Sequence, residues 1–439
     1  MTSPDWSNLL DLYQATVCRG VLEYLEQQMG RKTRRGVYGA AVVLWLMMLQ
    51  RLQGRTTLAS AVQLRVHGAA GTLAADCRRV RQGRISSRTG GYCRARQKLP
   101  ALLCQQVSQE MVERLRALLV PAGEAVTFVL DGSSLELEHN RALVTKYPPG
   151  RNHHGAGHWP MLRIVVAHDV ETGLAQQPCW GPMYGTGAVS EQRLAEAVMD
   201  SLPTGSRVIG DRNFGVFSVA WAAQQRGLAV IVRLTDVRAK KIAGAISVAG
   251  SYDVVWKTSR WDRTHHAHLP ERACVAGRLV AAQVGRGKSK QWLYLFTTSP
   301  LSAAQVVALY GQRWNIETDL RSLKRTVHLH HLQAHSQEML EKELRMAISA
   351  YNLVRAVMCM AARRNGLDPR QLSFTHVLNV VDYAWPKLVQ GSHSQQDQEF
   401  LNVLDRATQG RLPQRSKHRS FPRTQWRRGG MVQFRKAVK

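Results

Sequence analysis

Apolar residues change their spacing twice along this chain. Up to about residue 120 they recur at helical intervals, at Leu9–Leu12, Val37–Leu52 and Val107–Leu119, which predicts a helical region. The pattern then turns β-like. "AVTFVLDGSSLEL" runs apolar into Asp131 and Gly132, and a turn is expected there. "MLRIVVAHDVETGLAQQPCW" reads as two strands joined at Glu171–Gly173. "SEQRLAEAVMDSL" reads as a helix stopped by Pro203, and "SRVIGDRNFG" as a short strand ending at Asp211. Strands, a helix and a further strand imply an α/β or mixed-sheet unit. From about 225 to 300 the text is mostly strands: "LAVIVRL", "SYDVVWK", "RACVAGRLVAAQV" and "QWLYLFTTS". Helical spacing returns near 310, continues in a long helix over 341–366 with a glycine stop, and recurs around 375–389.

One helix carries an ordered row of polar groups. On a uniform α-helix Tyr310, Arg313, Glu317 and Lys324 fall within roughly 60° of one another. Ile316, Leu320, Leu323 and Val327 form a second, apolar stripe about a quarter turn away. The ordinary reading is a solvated face with i,i+4 ion pairs. It is weak, because Arg313 precedes Glu317, the less favourable order, and one pair adds only about 0.2–0.5 kcal/mol.

Charge changes the picture. The 439 residues hold 60 Lys and Arg against 31 Asp and Glu, a net charge of +29. Such a surplus calls for a polyanion, and nucleic acid is the first choice because phosphate contacts release counterions. The segment "CRRVRQGRISSRTGGYCRARQKLP" is basic without an acid, and residues 406–439 carry eleven Lys or Arg and no acid. The first suits a helical domain that grips DNA; the second is expected to order on binding it. The longest apolar run, Val37 to Leu49, is too short to span a bilayer, so no membrane is expected. Seven cysteines with no C-x-x-C argue against a disulfide framework or zinc finger and fit a reducing cytoplasm.

Two aspartates stand out, Asp131 before Gly132 and Asp211 before Arg212 and Asn213. Each alone reads as a turn former. With Glu317 on an anchored helix they suggest a carboxylate cluster, which repels itself unless a cation holds it. Mg²⁺ suits such a site, with Mn²⁺ able to substitute. His153, His154 and His158, and His328, His330, His331 and His335, lack the cysteine partners of a zinc finger and read as surface or DNA contact. "GRGKSKQW" lacks Walker spacing.

These residues carry a resemblance. Tyr310, Arg313, Glu317 and Lys324 reproduce the Tyr-x2-Arg-x3-Glu-x6-Lys spacing, and "VLDGSS" and "GDRNFG" match the contexts of both aspartates. The chain resembles the bacterial insertion-sequence DDE transposases of the YREK type, insertion-sequence family four. The resemblance implies an α/β, RNase H-like catalytic core with a β-strand insertion. It also implies a helical N-terminal DNA-binding domain and a helical, basic C-terminal region. The boundaries expected are 1–122 for the N-terminal domain, 123–222 and 301–337 for the core, 223–300 for the insertion and 338–439 for the rest. Asp131, Asp211 and Glu317 would bind two Mg²⁺ ions. Tyr310, Arg313 and Lys324 would hold phosphates, with Arg212 beside Asp211 as a further DNA contact. Trp292 would stack on a base flipped from a hairpin end, and Trp314 is expected to be packing or a second stacking contact. The implied partners are double-stranded DNA (the element's terminal inverted repeats and the target) and a second copy of the chain, in the cytoplasm at the nucleoid. The readings left open are an RNase H-like nuclease without strand transfer and an inactive DNA-binding regulator.

Overall fold

The computed structural model describes residues 9–30, 36–54, 57–71, 73–121, 123, 125–153, 155–285, 291–329, 332–389 and 392–412. Most of the basic tail, from 413, lies outside the described residues, as do His154, His330 and His331. Ten strands occur among the described residues: β1 (Thr127–Glu136), β2 (Arg151–Asn152), β3 (Gly155–Ala156), β4 (Met161–Asp169), β5 (Cys179–Pro182), β6 (Arg207–Gly210), β7 (Ala229–Arg233), β8 (Gly250–Lys257), β9 (Cys274–Val284) and β10 (Gln291–Thr297). Strands β2 and β3 form a small hairpin; the other eight make one sheet in the order β5-β4-β1-β6-β7-β10-β9-β8. The centre, β1-β6-β7, is parallel, and the strands outside it run antiparallel to their neighbours. The strands expected between 225 and 300 therefore extend the main sheet instead of forming a second one.

Both faces of the sheet are buried, which explains why its central strands read as near-continuous apolar runs. Val129, Ile209, Ile231, Leu293 and Leu295 face one core, shared with the N-terminal helices and the 28-residue helix Gln337–Arg364. Phe128, Leu130, Val208, Val230, Val232, Tyr294 and Phe296 face the other, closed by helices Glu191–Val198 and Phe217–Gln225. The 3.6-residue pattern over 37–52 becomes the buried helix Ala40–Leu52, and the pattern near 107–119 becomes Ala101–Leu119. The long C-terminal helix and the one near 375–389 are also present, and a further helix, His393–Ala407, follows.

The turn at Glu171–Gly173 forms as expected. Asp169 Oδ1 accepts from the backbone N–H of Glu171 at 2.8 Å and of Thr172 at 2.9 Å. Gly173 has φ +75°, and the Arg355 guanidinium fills the space a Cβ would need. The turn expected at Asp131-Gly132 is absent. Strand β1 runs on to Glu136, pairing with β4 throughout. Gly132 is there for space: a Cβ on it would lie 2.6 Å from Glu191 Cδ.

The N-terminal helices are clamped to the Gln337–Arg364 helix by a buried carboxylate. Glu343 accepts from Arg51 Nη2 at 2.8 Å and from Arg96 Nη2 at 2.7 Å. Lys342 Nζ donates to the backbone oxygens of Arg96 and Gln97 at 3.2 and 3.1 Å. Deleting one partner of such a set leaves an uncompensated buried charge. Glu343→Ala is expected to lower stability by about 3–5 kcal/mol, read as a reduced urea midpoint with an unchanged slope.

Candidate active site

The parallel register of β1 and β6 creates the site. Val129 is opposite Ile209, and both side chains face the same core. Two residues further along each strand are Asp131 and Asp211, so period-2 alternation puts both carboxylates side by side on that face. Asp211 lies just past the end of β6, where its Oδ1 accepts from the Asn213 N–H at 2.8 Å. Asp131 Oδ1 accepts from the Gly132 N–H at 2.8 Å. Burial pushes the Asp131 carboxyl up to about 6, and the nearby charges of Asp211 and Glu191 add to the rise. The Gly132 N–H and the Arg313 guanidinium oppose it.

Glu191 is a fourth carboxylate that the sequence reading missed. It opens the helix Glu191–Val198, capped by Ser190, and its carboxyl packs over Gly132. Asn213 Nδ2 donates to Glu191 Oε2 at 2.5 Å, while Gln192 Nε2 donates to Asn213 Oδ1 at 2.7 Å. Asn213 thus ties the loop after Asp211 to this helix. The signal available in the sequence was Gly132 itself, a residue that admits a close neighbour.

The helical segment from 303 to 326 does not keep one winding. It comprises an α-helix Ala303–Gly311, a 3₁₀ turn Gln312–Trp314, an α-helix Asn315–Arg321 and a π-turn Ser322–Thr326. The expectation of one uniform α-helix is corrected accordingly. The 3₁₀ turn eclipses residues three apart, and the Arg313 guanidinium sits 6.0 Å from the Tyr310 ring centroid and 4.8 Å from that of Trp314. At the other end Ser322 Oγ donates to Thr318 O at 2.9 Å and the Val327 N–H reaches back five residues to Ser322 O at 3.0 Å. This winding brings Lys324 Nζ to Ser133 Oγ at 3.0 Å, two residues from Asp131 on the same strand.

The apolar stripe is as expected, with Ile316, Leu320, Leu323 and Val327 buried. The polar row is not a single solvated face. Tyr310 is buried, and burial raises its pKa against the pull of Arg313 and Arg233. Arg313 is half-buried, and its Nε has no hydrogen-bond partner. Glu317 is exposed. The i,i+4 pair between Arg313 and Glu317 does not form, since Glu317 takes no hydrogen bond or ion pair among the described residues.

The structure therefore gathers Asp131, Asp211, Tyr310, Arg313 and Lys324. Glu317 lies between Arg313 and Lys324 on the same segment, with its carboxylate in solvent. Arg212 is exposed beside Asp211. Trp314 is 53% exposed, with the Arg313 guanidinium against its ring. Trp292 is not brought to the site. It packs with Tyr294, 5.9 Å between ring centroids, on the second core, and the alternation along β10 puts it on the sheet face opposite Asp131 and Asp211. His139 and His158 stack at 4.2 Å on the surface, with Trp159 edge-on to His158.

The donor set fits a hard divalent cation. Asp131 and Asp211 are adjacent oxygen donors, and Asp131 carries a like-charge burden that Arg313 only partly relieves. Comparison with known proteins agrees with this chemistry. Residues 122–353 match the family model described as a transposase DDE domain. The chain is also 28% identical, over 282 residues, to the transposase InsG for insertion sequence element IS4 of Escherichia coli K12. That match covers 60% of this chain and 59% of the relative, so the chain spans about three fifths of the relative's length.

Two outcomes are expected here. In metal-free protein, Asp131 ionises near 3.8 when unfolded and near 6 when folded, so its penalty is full above pH 6 and absent below about pH 4. Asp131→Asn should thus stabilise by about 1–2 kcal/mol at pH 7–8, after discounting for partial exposure, and by nothing near pH 3.5, as thermal melts across pH would read. Glu191→Gln should lower the Asp131 pKa, followed by carboxyl ¹³C chemical shifts.

Proposed function

Because the chain belongs to the transposase DDE-domain family, we propose that it is a cut-and-paste DNA transposase of an insertion sequence. The observation that carries this reading is the pair Asp131 and Asp211 on adjacent parallel strands, with Arg313 and Lys324 brought against it by one re-wound helix. In this reading Asp131, Asp211 and Glu317 hold two Mg²⁺ ions, or Mn²⁺. Such ions activate an attacking oxygen and stabilise the leaving oxygen of a phosphodiester.

The chain's own residues position DNA. Arg313, fixed between Tyr310 and Trp314, presents its guanidinium to a phosphate, and Lys324 holds backbone on the far side of Glu317. Arg212 faces the flanking strand. Exposed Trp314 is the better-placed stacking surface for an unpaired base; Trp292 would require DNA to wrap past the sheet edge. Water attacks the phosphorus at each element end and the 3′ oxygen leaves as a hydroxyl. That hydroxyl then attacks the opposite strand, closing a hairpin and releasing the flank. A second hydrolysis reopens the hairpin, and the 3′-OH joins target DNA.

The strand order supports an RNase H-like core: β5-β4-β1 antiparallel, then β6 and β7 parallel on the other side. The divisions at 122, 300 and 337 belong to the same reading; the one expected at 222 does not, because β7 (Ala229–Arg233) pairs in parallel with β6 and counts with the core, so the insertion starts after it. A groove in the helical part lined by Arg78, Arg79, Arg94 and Lys98 supports DNA gripping by residues 1–122. Two ends must be paired, so a homodimer assembles on the DNA. Among the described residues no helix is long and apolar enough to cross a membrane.

The test uses DNA ends bearing the inverted repeats that flank the gene, incubated with protein and Mg²⁺. Wild type is expected to cut and give a hairpin, and Glu317→Gln to bind without cutting, a loss of at least about 10³-fold. Glu191→Gln should retain cleavage, because Glu191 acts on Asp131 as a neighbour. If it abolishes cleavage while Glu317→Gln does not, the third metal-holding carboxylate is Glu191. Binding without cleavage by wild type supports the DNA-binding regulator. Cleavage without joining to a second duplex supports the nuclease.

A further inference from the structure

A separate cluster lies on the opposite side of the sheet from the aspartate pair. Glu196 belongs to the helix Glu191–Val198, on the face that buries Leu194, Ala195 and Val198. It is only 4% exposed. Its Oε1 has no hydrogen-bond partner, and its Oε2 accepts from Arg193 Nη1 at 3.1 Å. A buried carboxylate with one empty oxygen is costly, and such an orphan in a folded protein calls for an unseen partner.

Two imidazoles face it. His266 and His268 come from the loop after helix Arg260–His265, within "HHAHLP". The loop is held in place: the His266 N–H donates to Asp262 O at 2.8 Å, the Leu269 N–H to His266 O at 2.9 Å, and Leu269 is buried in the core. His268 Nε2 lies 3.7 Å from Glu196 Oε2. Glu196, His266 and His268 each offer a ligand atom, all within 4.8 Å of one another. Ligand atoms around a tetrahedral ion with bonds of about 2.0–2.1 Å lie about 3.4 Å apart, so small side-chain shifts close the set.

We propose that Glu196, His266 and His268 form a Zn²⁺ site, distinct from the Asp131 cluster. Two nitrogens and one oxygen are the donors of a borderline ion such as Zn²⁺, whereas Mg²⁺ takes oxygen alone. Water completes the fourth position. Arg193 occupies the cation's place in part: its guanidinium lies 3.1 Å from Glu196 Oε2 and 3.5 Å from His268 Nδ1. Its side chain is 60% exposed and free to swing into solvent when the ion enters. The bound ion would staple the loop between β8 and β9 to the helix whose first residue, Glu191, packs on β1 beside Asp131. The site thereby links the strand-rich 223–300 segment to the aspartate pair.

The experiment titrates full-length, chelator-stripped protein with Zn²⁺ against a chromophoric chelator. Co²⁺ substitution then reads the coordination through its visible absorption. One Zn²⁺ equivalent is expected, with a rise in melting temperature and a tetrahedral Co²⁺ spectrum. His268→Gln, an exposed position chosen to preserve folding, and Glu196→Gln should each weaken binding by on the order of 10–100-fold or more, since even outer-shell partners are worth that much. His265→Ala, whose ring stacks on Trp261, and Asp131→Asn should leave it unchanged. The proposal is overturned if no equivalent binds, if the equivalent survives His268→Gln with circular dichroism unchanged, or if Asp131→Asn abolishes it.

Discussion

The helix bearing Glu317 is fixed by one buried acid, Asp319. It sits among the apolar seam residues Ile316 and Leu320 and is 2% exposed. Arg370 Nη1 donates to its two oxygens at 2.7 and 2.6 Å, and Arg355 Nη2 donates to Oδ1 at 3.1 Å. Burial alone would raise its pKa, but Arg370 and Arg355 together outweigh that and hold the carboxyl below its usual range. Arg370 also donates to the backbone oxygens of Asp169 and Val170, at 2.6 and 2.7 Å. One cluster therefore joins the re-wound helix, the end of β4, the long C-terminal helix and the turn at Pro369–Gln371. Such a cluster adds little net stability over an apolar replacement, yet it specifies position. Position is what a site assembled from three distant segments requires.

The sheet supplies the second constraint. Strands β1 and β6 pair in parallel with Val129 opposite Ile209, both facing the same core. That register decides that Asp131 and Asp211 are neighbours. The strain of the arrangement is electrostatic: Asp131 is partly desolvated beside Asp211, and the Arg313 guanidinium opposes the rise in its pKa. Burial and the like charge together keep the Asp131 pKa raised despite Arg313.

The large positive charge divides between two settings. Arg51, Arg345 and Arg355 are buried and tie elements together, Arg51 on Glu343, Arg345 on Gln177 and Arg355 on Asp319. Others, Arg78, Arg79, Arg94 and Lys98 among them, line a groove in the helical part. Net charge read from composition mixes the two, because partner and burial are properties of the folded chain.

Local pattern was enough to locate most of the helices and strands. Periodicity marked the strand that contains Asp131, the apolar seam from Ile316 to Val327 and the turn at Gly173, because each depends on residues a few positions apart. The motif spacing singled out Tyr310, Arg313, Glu317 and Lys324, and the local contexts singled out Asp131 and Asp211. Tertiary structure decided what rests on pairing between distant segments. It carried β1 past Asp131, since Gly132 answers to Glu191, 59 residues on. It rotated Lys324 onto Ser133 through a π-turn and put Trp292 on the far face, since strand pairing determines which side a period-2 residue takes. It buried Asp319, whose partners lie 36 and 51 residues away. A sequence records alternation along each strand and helix; which neighbour each face meets is set only when the chain closes on itself.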